Sequence, residues 1–179
     1  MVVTMKTELQ NLIDECTTEL TDISSKISAL PPLDKTRAYL TKYALIKSCG
    51  TIEFVYRSLV ADYFDQSNLS QVPTYIDKTV REGSMSAKYD NMSGLLGKFD
   101  DTWRANFKNA VAQHPDSQRI ISSTNSLVTN RHQFAHGKTP TATFNDIKQY
   151  YTDALELIRI LLSLSVRIVC IMRSSLMVV

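Results

Sequence analysis

The chain is expected to be all-α, an antiparallel helical bundle with a long central helix and a long C-terminal helix. Three observations lead there. Apolar residues recur at steps of three and four through most of the 179 residues. No stretch shows the alternating pattern of a convincing strand, and no internal repeat or low-complexity segment interrupts the chain. The last stretch, starting near Thr143, sets Ile147, Tyr151, Ala154, Ile158, Leu161, Ser165, Ile168 and Met172 close to a seven-residue repeat. Such a seam packs along the central helix or along a second subunit.

The elements follow in order. Leu9, Leu12, Ile13, Cys16, Leu20, Ile23 and Ile27 lay one apolar stripe along a first helix that Leu30-Pro31-Pro32 ends. Asp34 is placed to cap the next helix, which runs from Thr36 to about Phe64 and is apolar on most sides, as expected of a helix packed by several neighbours. Glu53 is conspicuous in its middle: it either shares a solvated stripe with Lys42 and Arg57, pairing with Arg57 one turn on, or needs a partner from elsewhere. Beyond the polar break at Asp65-Gln66-Ser67-Asn68, Val72, Tyr75, Ile76 and Val80 suggest a short helix with Pro73 in its first turn. Met85, Tyr89, Met92, Leu95 and Leu96 suggest another, broken by Gly94 and Gly97. Phe99, Trp103, Phe107 and Val111 mark a firmer one, which His114-Pro115 terminates. Its aromatic stripe reads as core, because single-strand binders more often stack bases on exposed sheet aromatics. Asp116 or Ser117 caps a helix carrying Ile120, Ile121, Thr124, Leu127 and Val128, and the same period carries Arg131, His132 and Ala135 onto its apolar rows. Gly137 can stop it, and residues 138–141 form a short connector to the last helix.

Composition bounds the function more by exclusion. With 44% hydrophobic and 21% charged residues the chain reads as one ordinary soluble domain over 1–179. A net charge of +2 announces no nucleic-acid binder, so any RNA contact must be argued from a site. Cys16, Cys49 and Cys170 are odd in number and lack metal-ligand spacing, and they read as buried thiols in a reducing cytoplasmic setting. No signal peptide is evident at Met1-Val2-Val3-Thr4-Met5-Lys6. Arg159, Arg167 and Arg173 interrupt the apolar C-terminus, so no membrane span is expected. No Gly-x-Ser-x-Gly, phosphate-cradling Gly-rich loop or organised Cys-His pair occurs, and Asp100-Asp101 are adjacent rather than facing.

Chemistry concentrates in Leu127-Val128-Thr129-Asn130-Arg131-His132-Gln133-Phe134-Ala135-His136-Gly137, where an Arg-x-x-x-x-His pair closes a helix with a further histidine inside it. A guanidinium that stays charged beside an imidazole that titrates near neutrality is the minimum equipment for cleaving RNA without a metal. The spacing alone is weak evidence, since nine arginines and three histidines in this length give about 0.15 such pairs by chance. Context strengthens it: a helix end, an apolar stripe, an all-helical chain, then Gly and a long last helix. His132 and His136 are also four apart, the spacing of two metal ligands on a helix. Position 133 is Gln where a zinc protease has Glu, and no third ligand is evident, so no metal and no cofactor are expected.

In this motif, and in the long helix carrying an acidic residue around Cys49-Gly50-Thr51-Ile52-Glu53, the chain resembles the HEPN superfamily. These are small helical bundles found in RNA-cleaving toxins, phage-defence proteins and CRISPR-associated ribonucleases. The resemblance implies a HEPN-like bundle that forms a homodimer, with two motifs facing across a composite cleft that cuts single-stranded RNA, leaving a 2′,3′-cyclic phosphate and a 5′-hydroxyl. His136 would serve as general base or acid at the ribose 2′-hydroxyl. Arg131 would hold the scissile phosphate and stabilise charge gathering on its oxygens. His132 would orient Arg131 or share proton traffic, with Glu53 in support. An antitoxin or a defence-system partner protein is a further implied partner. Residues five apart on an ideal helix are turned by roughly 140° and separated by about 7.5 Å, so Arg131 and His136 do not meet by simple stacking. The alternative is a HEPN-like interaction or regulatory module, in which Arg131 pairs with Glu53 or Asp146 and does no chemistry.

Overall fold

The computed structural model describes residues 5–175 except 66 and 68, with side chains as far as residue 164. Its helices are α1 (Thr7–Ala29), α2 (Lys35–Asp62), α3 (Gln71–Ile76), α4 (Tyr89–Gly97), α5 (Asp101–Ala112), α6 (Ser117–Ala135) and α7 (Phe144–Ser175). Among the described residues there is no strand. The fold is all-helical, as the periodicity requires.

Local chemistry explains most boundaries. Pro31 and Pro32 follow the end of α1, and Arg37 Nη1 donates to the carbonyls of Ile27 and Leu30, satisfying acceptors the helix leaves open. Asp34 caps α2 by accepting from Thr36 N at 2.7 Å, and Asp100 caps α5 by accepting from Thr102 N and Trp103 N. Thr143 and Asp146 exchange side-chain to backbone hydrogen bonds at the start of α7. At α6, Asp116 occupies the cap position but makes no cap hydrogen bond: its carboxylate pairs with Arg119 at 2.9 Å.

Packing is antiparallel between α1 and α2 and between α6 and α7, but α2 and α7, expected in an antiparallel bundle, run parallel: both are antiparallel to α1, and their starting ends share one cavity lined by Arg37, Lys42, Leu45, Thr143 and Phe144. Tyr43 donates to Glu19, while Lys47 reaches both Glu15 and Glu19, so α1 and α2 run in opposite directions. Ser123 donates to Asp153 and Thr141 N to Asn130, which orients α6 against α7. The α6–α7 pairing is the most extensive, followed by α2–α7 and α1–α2. One core cluster joins all these helices, with Leu45, Ile52, Tyr56, Phe107, Ile120 and Ile158 at its centre. In α7, Ile147, Tyr151, Ala154 and Ile158 are buried as the seam requires. Leu161, the next seam position, is only partly buried against the core, and Ser165, Ile168 and Met172, with Cys170, have side chains outside the described residues. Cys16 and Cys49 are buried free thiols.

The middle of the chain departs from its periodicity. Helix α3 continues into a wider π-helical turn, Asp77–Arg81, where Glu82 N donates to Asp77 O. Met85 lies outside any helix, in the loop before α4, and Gly94 is tolerated inside α4. Phe99 precedes the α5 cap and packs on Phe64, while Trp103 meets Tyr63 edge-on with ring centroids 4.4 Å apart. The aromatic stripe is packing surface. Helix α2 is less enclosed than its composition implies: Tyr39, Tyr43, Ile46 and Phe54 are exposed.

Candidate active site

Helix α6 ends in an arrangement that fixes the motif's geometry. Lys138 N donates to Gln133 O at 2.8 Å and Gly137 N to Phe134 O at 3.1 Å, the paired bonds of a Schellman ending. Gly137 supplies the left-handed residue that this ending requires, with φ of 74°. His136 is therefore the helix-capping residue, exposed at the tip, its own N–H donating to His132 O. Phe134 steadies this end against α2, with Lys42 Nζ 5.6 Å from its ring centroid.

Arg131 turns the other way, into the protein. Its Nη2 donates to Glu53 Oε2 at 2.8 Å, linking α6 to the middle of α2. This corrects one alternative for Glu53: it lies on no solvated stripe with Arg57, since it is 8% exposed and takes its charge partner from α6. Arg57 contacts it through the backbone, Nε donating to Glu53 O at 3.2 Å. Nor does Arg131 pair with Asp146, whose carboxylate serves Thr143. Burial works against the Arg131 charge, and Glu53 more than offsets it, so the guanidinium pKa moves up. Glu53 Oε1 accepts from Cys49 Sγ at 3.7 Å. Burial first, then the Glu53 charge, pushes the Cys49 thiol up to about 12, so it is protonated and unreactive at neutral pH. Ala135, expected on the apolar rows, is exposed at the last residue of α6.

The structure gathers three of the four expected site residues. Glu53, Arg131 and His132 line one open polar cavity of about 420 Å³, with the 82–86 loop forming the rest of its wall beside Arg57. His136 lies beyond that cavity at the exposed helix tip, so Arg131 and His136 stay apart within one chain, as five-residue helical spacing dictates. Among the described residues no three His, Cys, Asp or Glu side chains are gathered in a metal-holding group. No helix of the described residues is long and apolar enough to cross a membrane.

Two residues at the site were given no role in it from the sequence. Asn130, buried beside Arg131, accepts at Oδ1 from the N–H groups of Thr141 and Ala142, both at 2.9 Å, and donates from Nδ2 to Ser126 O. It ties the connector back onto α6 and so holds the turn that presents His136. The one available signal was an asparagine late in a helix, where its side chain competes with the backbone unless a second segment engages it. Arg57 is the other: it lines the same cavity as Arg131 and His132.

Arg131 is thus a guanidinium anchored by a buried carboxylate, facing a polar cavity beside an imidazole. Such a unit can grip an anionic oxygen through the donors that Glu53 does not take. Comparison with characterised proteins and with solved structures returned no match. The family model HEPN_RiboL-PSP, described as RiboL-PSP-HEPN, matches residues 11–164, which span the bundle from α1 into α7 and include every residue of the candidate site, and the chain belongs to that HEPN family.

Proposed function

We propose that the chain is a metal-independent endoribonuclease that cleaves single-stranded RNA as a cytoplasmic homodimer, in a toxin or antiviral defence system. The observation that carries this reading is Arg131, held by buried Glu53 at a polar cavity with His132, one turn before an exposed His136. Arg131 would bind the scissile phosphate, and His136 would take the 2′-hydroxyl proton so that the oxygen attacks phosphorus. As the P–O5′ bond breaks, water protonates the departing 5′-oxygen, and a 2′,3′-cyclic phosphate remains.

A second copy is the occupant we assign to the exposed face of α2. Tyr39, Tyr43, Ile46 and Phe54 are 65%, 51%, 43% and 40% exposed, and Gly50 between them leaves open space for close approach. At helical period this stripe runs into Arg57, at the candidate cavity, so a partner seated on it lies next to the site. That placement would let His136 of one copy serve Arg131 of the other.

The test incubates purified protein with single-stranded RNA in excess chelator, beside His136→Ala and Arg131→Ala. We expect cleavage to fall by at least about 10³-fold in both variants with helicity retained, as for loss of a general base or an oxyanion donor. Cleavage that needs added metal contradicts the mechanism. Light scattering at micromolar concentration should give twice the chain mass, falling to one in Phe54→Glu; a monomeric wild type removes the composite site. One observation favours a second reading, a HEPN-like interaction module: Glu53 already occupies part of the Arg131 guanidinium and His136 lies outside the cavity. Inactivity of the dimeric wild type on diverse RNAs would select it.

A further inference from the structure

We propose that Arg57 is a second phosphate-binding residue, holding the phosphate next to the scissile linkage in single-stranded RNA. This rests on the endoribonuclease reading and assigns its substrate a minimum length. Four arginines are half-buried among the described residues: Arg37, Arg57, Arg81 and Arg131. Arg37 spends its Nη1 on two helix-end carbonyls, Arg81 meets Asp62, Asp65 and Asp77, and Arg131 meets Glu53. Arg57 donates only Nε, to the Glu53 carbonyl, and among the described residues no carboxylate or carbonyl answers its two terminal nitrogens. A half-buried guanidinium without a counterion is costly to keep, and its natural complement is an anion from outside.

Its surroundings form a trough. Arg57 lines both the Arg131 cavity and an adjoining one of about 400 Å³, and Ser84 and Ser86 line both as well. Lys98 and Asn91 stand in the second cavity. Gly83 shapes the shared wall: a Cβ there would come within 2.4 Å of the Thr79 carbonyl oxygen, so only glycine lets the loop lie this close to the π-helical turn. Arg131 is pinned to the Glu53 carboxylate, and Arg57, one helical turn later on α2, folds its Nε back onto the Glu53 carbonyl, so one residue holds both guanidiniums side by side. Neighbouring guanidiniums suit neighbouring phosphates of one strand, with Ser84 lining both cavities between them, while Asn91 braces Ser86. Glu82 and Asp90 also line the trough, which keeps it from being a general polyanion sink. Glu53 pairs with Arg131, leaving Arg57 as the guanidinium at the junction with no ion pair among the described residues.

The consequence is a length requirement. A dinucleotide carries only the scissile phosphate, while a trinucleotide can also reach Arg57. Wild type should therefore cleave trinucleotides with a KM about tenfold below that for dinucleotides, and Arg57→Ala should erase that difference while leaving kcat within about threefold. Binding is read separately by fluorescence anisotropy with a 2′-O-methyl oligonucleotide, which cannot be cut. Arg57→Ala should weaken it about tenfold and reduce the slope of log affinity against log salt by about 0.7, with partial recovery in Arg57→Lys and no change in Arg104→Ala on α5. Cleaving wild type with unaltered KM and salt slope in Arg57→Ala overturns this assignment and leaves the nuclease reading intact. Binding that depends on Arg57 without cleavage upholds it and removes the nuclease. A wild type that does not bind the oligonucleotide removes both.

Discussion

Arg81 and Arg131 both come from outside α2 and both reach carboxylates on it, yet the two regions are built in opposite senses. Around Arg81 the anions are in excess: Asp62, Asp65 and Asp77 each take a guanidinium nitrogen, and Lys6 joins the same cluster through Asp62 and Asp65. Asp62 is buried, with Oδ1 accepting from both cations while Oδ2 has no partner. Every positive nitrogen is answered, and the cluster pins the chain start, the end of α2 and the π-helical turn together. Around Arg131 the charges balance in number but do not all pair: among the described residues, buried Glu53 serves Arg131, while Arg57 beside it holds only the Glu53 carbonyl and Glu82, on the same cavity, forms an ion pair with neither. A region whose charges close on themselves stabilises the fold. One that leaves a cation open is equipped to receive an anion.

The largest stability effect should fall on the closed cluster. Arg81→Ala leaves Asp62 buried with Lys6 alone and strips Asp65 and Asp77 of their shared partner. Loss of one member of a buried ion network costs about 3 kcal/mol. Arg57→Ala, which breaks no ion pair, should stay within about 0.5 kcal/mol of wild type. Urea unfolding of both variants checks the contrast, and equal losses would erase the distinction between the two regions.

The next effect sharpens the open region through pH. The Cys49 thiol sits against Glu53 and is pushed up to about 12 from a reference of 9.0. The unfolded thiol ionises first as pH rises, so the folded state keeps its full stability below pH 9 and loses it between pH 9 and 12. At pH 10.5 the loss assigned to Cys49 is about 2 kcal/mol. Cys16 and Tyr151 shift in the same direction through burial, so the wild-type curve falls further than this group alone requires. The check compares urea midpoints at pH 7 and pH 10.5 in wild type and Cys49→Ala. Equal slopes in the two proteins would mean that the thiol is not held neutral beside Glu53.

What was legible in the sequence divides along similar lines. Helices α1, α2, α6 and α7 followed from three- and four-residue spacing because each buries a stripe long enough to repeat several times. The 71–99 stretch was less legible, since a π-helical turn and a loop tightened by Gly83 break the period. The motif at Arg131 to His136 was visible, and so was its failure to close within one helix. The partner of Glu53 was not: periodicity reports that a carboxylate faces inward, but not which of several arginines, 78 positions away in this case, meets it there. Arg57 was noticed only as a neighbour of Glu53 on α2, when its importance comes from what it does not pair with.

The smallest effect tests whether the open region depends on how α6 ends. Gly137 stands at φ of 74°, and nothing lies within 4 Å of where a Cβ would be, so the cost of Gly137→Ala is purely conformational. Placing alanine in the left-handed region costs about 1 kcal/mol, less the small gain from restricting the unfolded chain. Thermal unfolding should therefore show a modest drop, while Gly137→Asn, which tolerates that conformation, should sit between the two. Cleavage should fall by more than stability does, because the two bonds from Gly137 and Lys138 set where His136 sits relative to the Arg131 cavity. If Gly137→Ala loses stability but cuts RNA at the wild-type rate, the Schellman ending is only a helix stop.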